Sequence, residues 1–545
     1  MFTQPVTGKD FFGRDQILGL LKKRANDLRS GYRQNVALTG QMLCGKTSIL
    51  KYFLNTLENT DLVPVYVDVA ETGFEEFSNK FLGTLLVSLL RKDGHEISCD
   101  NPTLTMLQEL VSQKYPKTNQ FIETIKLLTK KKKYTEAYKD LFQLTSLIKE
   151  ESGKLCVIVL DEFHNIETFK IKNPFMHLGK IIMLQKDTLY VVSSSQRITV
   201  KKILTEKLSL LFGNFEVCEV RGFGRKVSRE FIRKRISPVD ISDYYIDYIL
   251  NITEQKPFYL QIFCKAVSDL SKKNEVNRVN VELLKDIFFS LLYEQTGIIN
   301  QVLINHVHFL MEKSKRKNYI EALIALSKGF FKLKDIALYL KQDERQISER
   351  LEELAAMDFV GKVGMFYFIQ DKFFGFWLRN VYLPREISFL GSNEDRKKEF
   401  GHLVDSDIEE YLIEYNKGPF DRLKELFMMF KGEFIEVDKK RRKIPCFSKA
   451  EILRYGDDVN YIFCETEKKY WAYKIKKEAV SDKDIVDFLK KTGSKNNKIT
   501  RRILITLSQI DQDAVLLAKA KNIWVWDLNT INMLFRLFNR QDLII

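Results

Sequence analysis

The sequence predicts an α/β protein in which a parallel sheet with flanking helices is followed by a helical region and then by a second α/β domain. In the first 220 residues, apolar runs rich in β-branched residues alternate with helical patterns, the order that builds a parallel sheet. Residues 221–295 are helical in pattern throughout, and strand-like runs return after residue 460. A length of 545 residues, at roughly 150 residues per domain, predicts about three or four domains.

The composition excludes several classes of protein. A hydrophobic fraction of 45 % with 12 % aromatic residues excludes general disorder, and 25 Gly with 10 Pro exclude a collagen-like chain. The longest apolar runs fall far short of the roughly 18 residues that span a bilayer, and the first residues lack the basic and apolar regions of a signal peptide. We therefore expect a cytoplasmic protein without a membrane segment.

Cysteine usage and charge bear on ligands and partners. The seven cysteines are scattered, odd in number and contain no CxxC pair, which argues against a disulfide framework and against a zinc site. The formal charge is +15, and residues 421–545 hold 26 Lys and Arg against 18 Asp and Glu. A basic C-terminal region fits contact with nucleic-acid phosphates, although solvated Lys-rich surfaces that bind nothing specific are common.

Four apolar runs in the first 220 residues are the predicted strands of the parallel sheet. Their near-continuous hydrophobicity is typical of strands that are covered by helices on both faces. The runs are Asn35–Thr39, Leu62–Val69, Leu155–Leu160 and Thr188–Ser193.

The first of these strands leads into a complete GxxxxGK[ST] motif, which a helical pattern follows. In this context glycines let the backbone wrap around phosphates, so that N–H groups and a helix N-terminus point at them. Lys46 can reach the β- and γ-phosphates, and the Thr47 hydroxyl can ligate Mg²⁺. The sequence therefore predicts a P-loop NTPase that binds a nucleotide and Mg²⁺. The predicted nucleotide-binding residues are Gly40, Gln41, Met42, Leu43, Cys44, Gly45, Lys46, Thr47 and Ser48.

The third strand ends in two acids. We expect Asp161 to hold Mg²⁺ through water and Glu162 to polarise the attacking water as general base, with Lys46 as the second catalytic group. The alternative is an Asp-Glu pair that only caps the next helix. The fourth strand ends in Ser193–Gln196, polar residues that could sense hydrolysis or could simply form a turn.

Four short features together resemble the archaeal-type ATPases of the STAND/AAA+ branch of P-loop NTPases. They are the Phe11–Asp15 box, the Asp161-Glu162 pair, the Ser-rich strand tip and the segment Lys256–Leu260. The resemblance covers roughly residues 8–385. It implies that Gly13 and Arg14 pack beside the adenine, that Pro257 starts a lid helix near the nucleotide, and that ATP is preferred. It also implies slow turnover coupled to rearrangement, with Arg197 and Arg225 as candidate sensor arginines.

Residues 319–368 fit a winged helix. Lys334–Leu340 and Glu344–Met357 are the predicted helices, and residues 360–369 are the predicted wing. The second helix offers Arg345, Gln346, Ser348 and Arg350 for DNA reading, but also four Glu that would repel phosphate. A role in packing or in contact with a protein partner is therefore favoured over DNA reading for this segment.

In relatives of this family, a restriction-endonuclease-like domain of the PD-(D/E)xK type often follows. Asp458 matches its first acid, Lys476 its lysine and Asp421 its helix carboxylate, while Lys474 stands where the second acid should be. A cation there removes a metal ligand and repels Mg²⁺. We therefore expect a nuclease fold without nuclease activity, although Glu465 or Glu467 could substitute. Basic residues including Arg441, Arg442, Lys443 and Lys477 could still hold a DNA backbone, and Trp471, Trp524 and Trp526 are expected to pack in the sheet.

The sequence as a whole predicts a Mg-dependent ATPase that acts as a nucleotide-controlled switch, associated with double-stranded DNA through its basic C-terminal domain. The predicted segments are a P-loop ATPase core at 1–220, a helical lid at 221–295, a winged helix at 296–385 and the nuclease-like domain at 386–545. An oligomer is compatible with the family. Two alternatives stay open: an ATP-regulated, metal-dependent DNA nuclease, and a nucleotide-binding scaffold with negligible turnover.

Overall fold

The structure is a computed structural model of the whole chain. It describes residues 4–58, 60–70, 72–97, 102–208, 213–314, 318–387, 393–437, 440–455, 459–467, 469–493 and 498–543. The chain forms two compact units. The first unit comprises residues 1–234, 255–262 and 356–358, and the second comprises residues 235–254, 263–355 and 359–545. The predicted segment boundaries at 220, 295 and 385 stay predictions.

The first unit is built on a five-stranded parallel sheet with the order β2-β3-β4-β1-β5. The four predicted strands are confirmed to within two residues at each end, and a fifth was missed. That fifth strand pairs only with β1 and exposes Glu219 and Val217, so it lacks the continuous apolar run of the inner strands. The strands are β1 (Asn35–Thr39), β2 (Val63–Asp68), β3 (Cys156–Asp161), β4 (Thr188–Ser194) and β5 (Phe215–Glu219).

Helices cover both faces of this sheet. Along β3, Val157 and Val159 face one apolar core while Cys156, Ile158 and Leu160 face the other, because successive strand side chains point to opposite sides. One core includes residues of α1 and α2, and the other includes residues of α3 to α7. The helices are α1 (Asp15–Arg29), α2 (Lys46–Asn55), α3 (Phe74–Lys92), α4 (Leu104–Ser112), α5 (Pro116–Lys130), α6 (Tyr134–Ser152), α7 (Pro174–Leu184), α8 (Arg197–Lys202) and α9 (Arg225–Ile236).

The second unit begins as a helical array, as the sequence predicts. The two helices and the hairpin expected between residues 334 and 369 are present as α15, α16 and β6–β7. The elements are α10 (Asp243–Ile252), α11 (Pro257–Lys273), α12 (Val281–Phe288), α13 (Ile298–Ser314), α14 (Tyr319–Ser327), α15 (Leu333–Leu340), α16 (Glu344–Ala356), β6 (Val360–Val363), β7 (Phe366–Ile369), α17 (Lys372–Trp377), α18 (Leu383–Ile387), α19 (Asn393–Asn416) and α20 (Pro419–Met428). In the described part of the chain one stretch, Val281–Lys313, is by length and composition apolar enough to cross a membrane, and 44 % of its apolar window is buried within the protein.

The C-terminal part of the second unit contains a second five-stranded sheet of order β10-β11-β12-β13-β14, antiparallel up to β12 and parallel beyond it. Four strands were predicted, and β10 was missed because its polar residues lie at the sheet edge. Trp471 and Trp526 are buried in the core of this sheet, as expected, and Trp524 is half-buried. The elements are β8 (Phe434–Val437), β9 (Lys440–Lys443), β10 (Lys449–Tyr455), β11 (Val459–Glu465), β12 (Tyr470–Lys476), α21 (Asp482–Gly493), β13 (Ile499–Thr506), α22 (Gln512–Ala520), β14 (Trp524–Trp526) and α23 (Leu528–Leu537).

Candidate nucleotide site

The loop between β1 and α2 has the backbone geometry of a phosphate-binding loop. A side chain at Gly40 would collide with the carbonyl oxygen of Val220, so this position requires glycine. Gly45, at φ +84°, and Leu43, at φ +67°, both adopt the left-handed conformation. The loop thereby turns directly into α2, whose free N–H groups form an anion site.

Lys46 is buried inside this loop, with only 5 % of its surface exposed. Its ammonium group donates hydrogen bonds to the carbonyl oxygens of Gly40, at 2.9 Å, and of Gln41, at 3.0 Å. Among the described residues it forms no ion pair with a carboxylate. The lysine is therefore held by neutral groups of its own loop and keeps its charge for an incoming phosphate.

Asp161, at the end of β3, is the centre of a hydrogen-bond cluster. Its carboxylate accepts hydrogen bonds from the Thr47 hydroxyl at 2.7 Å, from the Tyr66 hydroxyl at 2.9 Å and from the Ser193 hydroxyl. The two residues predicted to hold Mg²⁺, Thr47 and Asp161, are thus adjacent. A hydroxyl and a carboxylate are oxygen ligands of the kind that Mg²⁺ prefers. The described residues contain no group of three or more His, Cys, Asp or Glu that could hold a metal, so the remaining ligands would be phosphate oxygens and water.

Glu162 follows in a left-handed conformation at φ +50°. Its carboxylate accepts two hydrogen bonds from Ser195, from the backbone N–H at 2.8 Å and from the hydroxyl at 2.9 Å. His164 Nδ1 lies 3.4 Å from the same oxygen and 2.8 Å from the Ser194 hydroxyl. Burial raises the pKa of Glu162, against the effect of Lys46, and the neighbouring Asp161 raises it further. Such a carboxylate is a stronger base than an exposed Glu, which suits proton abstraction from water.

The residues at the tip of β4 therefore contact both acids. Ser193 bonds to Asp161, Ser195 bonds to Glu162, and Ser194 reaches Glu162 through His164. Tyr66 and His164 were not predicted from the sequence. Tyr66 lies within a strand that reads as core, and the His164 contact depends on the turn after β3, so neither residue carries a signal in the sequence.

The Phe11–Asp15 box lies against the phosphate loop. Arg14 donates to the Cys44 carbonyl oxygen at 2.9 Å and places its guanidinium 4.6 Å from the centre of the Phe223 ring. Burial lowers the pKa of Arg14. Gly13 has φ +64°, and a Cβ there would lie 3.2 Å from Val227. Ser48, the last predicted nucleotide contact, accepts a hydrogen bond from the Val6 N–H at 3.0 Å.

Pro257, the predicted start of the lid helix, is the first residue of α11, and a Cβ on Gly45 would lie 3.9 Å from its ring. The structure therefore places Arg14 and Pro257 next to the phosphate loop and Gly13 next to Val227, and their contacts with a nucleotide stay predictions. Arg225, one of the two candidate sensor arginines, begins α9.

Arg197, the other candidate, binds an acid that the sequence did not reveal. Its guanidinium donates to Asp358 at 3.1 Å and to Glu219 at 3.2 Å. Asp358 is buried, at φ +66°. Burial raises the pKa of Asp358, and Arg197, Lys46 and Lys256 act against this rise. Asp358 therefore lies within electrostatic range of the P-loop lysine, although more than 300 residues separate the two in the sequence.

The predicted nuclease positions form a different kind of cluster. Lys474 is fully buried, and its ammonium group donates to the Asp484 carbonyl oxygen at 2.8 Å and to the Asp487 carboxylate at 3.2 Å. Lys476 donates to the Asp484 carboxylate at 2.7 Å. The pKa values of both aspartates are lowered, because hydrogen bonds from these lysines outweigh the effect of burial.

The remaining positions do not join this cluster within the described residues. Asp421 is exposed in the first turn of α20, and Asp458 lies outside the described residues. Glu465 is the last residue of β11, and it accepts a hydrogen bond from the Tyr470 hydroxyl at 3.2 Å. Lys474 thus places a cation at the predicted ligand position, and carboxylates of the same cluster already balance its charge.

The first unit has the fold of a P-loop NTPase: a phosphate loop after the inner strand β1, an acid pair at the end of β3, and a further strand, β4, between β1 and β3. No protein-family model matches the chain, and no curated protein matches it. The chain is similar to the solved structure of the Walker-type ATPase PABY2304 of Pyrococcus abyssi, at 17 % identity over 69 % of this chain and 99 % of that one, with a TM-score of 0.49. It is also similar to the ORC2 protein of Aeropyrum pernix in ADPNP-ADP complexes (11 %, 76 % and 98 %, TM-score 0.42) and to the RuvB Holliday junction branch migration motor of Thermotoga maritima (15 %, 68 % and 97 %, TM-score 0.35).

Proposed function

We propose that the protein is a Mg²⁺-dependent ATPase that works as a nucleotide-controlled switch. The observation that carries this proposal is the convergence of Lys46, Thr47, Asp161 and Glu162 around one phosphate loop. Each of these residues has a distinct chemical capacity: a buried ammonium, a metal-binding hydroxyl, a metal-binding carboxylate and a base of raised pKa.

Hydrolysis needs charge stabilisation and a base. Loop N–H groups and the α2 N-terminus hold the phosphates, and Lys46 turns from the Gly40 and Gln41 carbonyls to the β- and γ-phosphates. Thr47 and Asp161 would hold Mg²⁺, which would neutralise charge on the phosphate oxygens. Glu162, positioned by Ser195, accepts the proton of the attacking water.

The switch rests on the segment 356–358. This segment belongs to the first compact unit, whereas the chain on both sides of it belongs to the second unit. Asp358 holds Arg197 in an ion pair and attracts Lys46 and Lys256. A γ-phosphate brings more negative charge to the same cations and competes with Asp358 for them. Nucleotide binding therefore weakens the attachment of the segment, and the covalent chain carries that change into the second unit.

The ATPase proposal is tested by steady-state phosphate release from Mg·ATP. We expect turnover in the wild type and loss of ATP binding by about 100-fold or more in Lys46→Ala, because the buried ammonium is the loop's contact to the β- and γ-phosphates. Lys22→Ala, an exposed lysine on α1, is the matched control. ATP binding without phosphate release above the Lys46→Ala background would favour the scaffold alternative.

The switch is tested with Asp358→Asn, which keeps the shape of the side chain and removes its charge. We expect ATP to bind several-fold more tightly, and we expect protease cleavage within residues 340–360 to be faster even without nucleotide. Asp335→Asn, an exposed acid on α15, is the control. Unchanged affinity and unchanged cleavage in Asp358→Asn would refute the competition.

Association with DNA is proposed through the β8–β9 hairpin of the second unit. Lys474 and Lys476 are committed to Asp484 and Asp487, so they are poor phosphate contacts. Arg441 and Lys443 are exposed on β9, and neither forms an ion pair with a described carboxylate. These two cations are therefore the basic residues best placed to hold a nucleic-acid backbone.

The DNA proposal is tested by the salt dependence of binding to a 30-base-pair duplex. Arg441→Ala/Lys443→Ala should lower affinity and reduce the slope of log K against log salt by about 2, close to one unit per lost phosphate contact. Lys22→Ala/Lys23→Ala is the control. Equal slopes would exclude the hairpin as the contact. Mg²⁺-dependent cleavage of the duplex that is lost in Asp458→Ala would favour the nuclease alternative.

A further inference from the structure

A cleft of about 810 Å³ lies in the first unit, away from the phosphate loop. Its lining includes Leu155, which directly precedes β3, and Asp187, which directly precedes β4. Both lie at the amino ends of parallel strands, whereas the phosphate loop follows the carboxyl end of β1. The cleft is therefore a separate site, at the amino ends of the strands and on the opposite side from the phosphate loop.

The charges around this cleft are strongly unbalanced. Its described lining contains five Lys and Arg side chains and a histidine but one carboxylate, that of Asp187. Lys139, Lys180 and Lys186 form no ion pair with any described carboxylate. Three ammonium groups without counter-ions around one concavity repel one another, and a bound anion would relieve that repulsion.

The imidazole of His177 interacts electrostatically with two of these lysines. It lies on α7 and lines the cleft. Burial lowers its pKa, and Lys139 and Lys180 lower it further. The two lysines come from different helices, α6 and α7, so the tertiary fold brings them together around the imidazole.

Part of the lining is apolar. It includes Ile181, which is buried in the core, and Leu184, which exposes 77 % of its surface. A concavity of this volume, with apolar residues and a few polar groups in its lining, is typical of a site for a small molecule.

We propose that this cleft binds a small organic anion that carries at least two negative charges, such as a phosphate monoester, on an apolar body. The charged end lies among Lys139, Lys180 and Lys186, and the apolar body lies against Ile181 and Leu184. The site is independent of the ATPase site and does not depend on the proposed ATPase function.

The test uses the full chain with ¹³C-labelled histidine, saturated with Mg·ATPγS so that the phosphate loop is filled. 1-Naphthyl phosphate is the probe with both features, inorganic pyrophosphate carries charge alone, and a hexaglutamate peptide represents an acidic protein segment. The His177 resonance, assigned with His177→Gln, reports the cleft, and the His164 resonance reports the phosphate loop.

We expect 1-naphthyl phosphate to shift the His177 resonance saturably, to raise the pKa of His177 and to leave His164 unchanged. It should bind more tightly than pyrophosphate. Lys139→Gln/Lys180→Gln should weaken its binding at least tenfold, while the exposed pair Lys22→Gln/Lys201→Gln should not. No saturable shift, a response to hexaglutamate alone, or equal binding by the Lys139→Gln/Lys180→Gln variant would overturn the proposal.

Discussion

Lys46 and Lys474 are both buried lysines next to acidic residues, but different kinds of group hold their ammonium groups. Lys46 donates to two backbone carbonyls of its own loop. Lys474 donates to the carboxylate of Asp487 and lies 3.5 Å from a carboxylate oxygen of Asp484. A lysine held by neutral groups keeps its charge for a ligand, whereas a lysine held by carboxylates is part of the structure.

The acids of the two sites differ in the same sense. The pKa of Glu162 is raised by burial beside Asp161, while the pKa values of Asp484 and Asp487 are lowered by the lysines that bind them. A carboxylate of raised pKa is the stronger base, while the charges of Asp484 and Asp487 are balanced by lysines. The direction of the shift therefore distinguishes Glu162 from the two aspartates of the Lys474 cluster.

The largest effect is expected from Glu162→Gln. The amide can still accept the hydrogen bonds of Ser195 but cannot take a proton, so kcat should fall by about 10²- to 10⁴-fold while ATP binding is kept. Phosphate release and equilibrium nucleotide binding measure the two quantities. Glu167→Gln, an exposed glutamate nearby, should leave both unchanged. Full turnover in Glu162→Gln would remove Glu162 as the base.

A methionine at each lysine tests the comparison directly. Lys474→Met should destabilise the protein by about 2 kcal/mol, less than the roughly 3–5 kcal/mol of a fully buried broken pair, because Asp487 is partly exposed. Lys46→Met should cost less stability, because only neutral hydrogen bonds are lost. Denaturant unfolding followed by tryptophan fluorescence measures both changes. Greater destabilisation by Lys46→Met would contradict the comparison.

The pH dependence of turnover should follow the raised pKa of Glu162. Hydrolysis requires the ionised carboxylate, so kcat/KM should fall as pH decreases through a pKa above the ordinary range of Glu. The acid limb of kcat/KM against pH measures it, because kcat/KM reports the ionisations of the enzyme without nucleotide, whereas kcat reports those of the bound complex. In Glu162→Gln the residual rate should lose this limb. A limb at the ordinary Glu pKa would show that the base is a carboxylate more exposed than that of Glu162.

The smallest effect is expected in the acid stability of the Lys474 cluster. Because the pKa values of Asp484 and Asp487 are lowered on folding, their contribution is fully present above their unfolded pKa and is lost as pH falls through the folded values. The stability difference between wild type and Lys474→Met should therefore be largest near neutral pH and shrink below about pH 4. Urea unfolding at pH 7, 5 and 3 measures it, and a constant difference would contradict the pairing.

Local sequence predicted which residues surround the phosphate loop of the first unit, and their catalytic roles stay predictions. A P-loop, a strand ending in two acids and continuous apolar strands each carry their signal within a few residues, and the structure places Lys46, Thr47, Asp161 and Glu162 together. The strands that were missed are β5, β10 and the hairpin strands β8 and β9, and none of them is an inner strand of a sheet. They are short or polar, so the continuous hydrophobic pattern that identifies inner strands is absent from them.

By itself the sequence determined the chemistry of the nucleotide loop, because phosphate binding depends on backbone conformation within eight consecutive residues. Only the tertiary structure decided which charged and polar side chains meet across long sequence distances: Asp358 with Arg197, and Tyr66 with Asp161. The physical reason is that distant elements of the chain bring the two groups together. The residues next to either group in the sequence therefore show no periodicity or spacing that predicts the contact. The pKa and the role of each group are set by burial and by neighbours that only folding brings together.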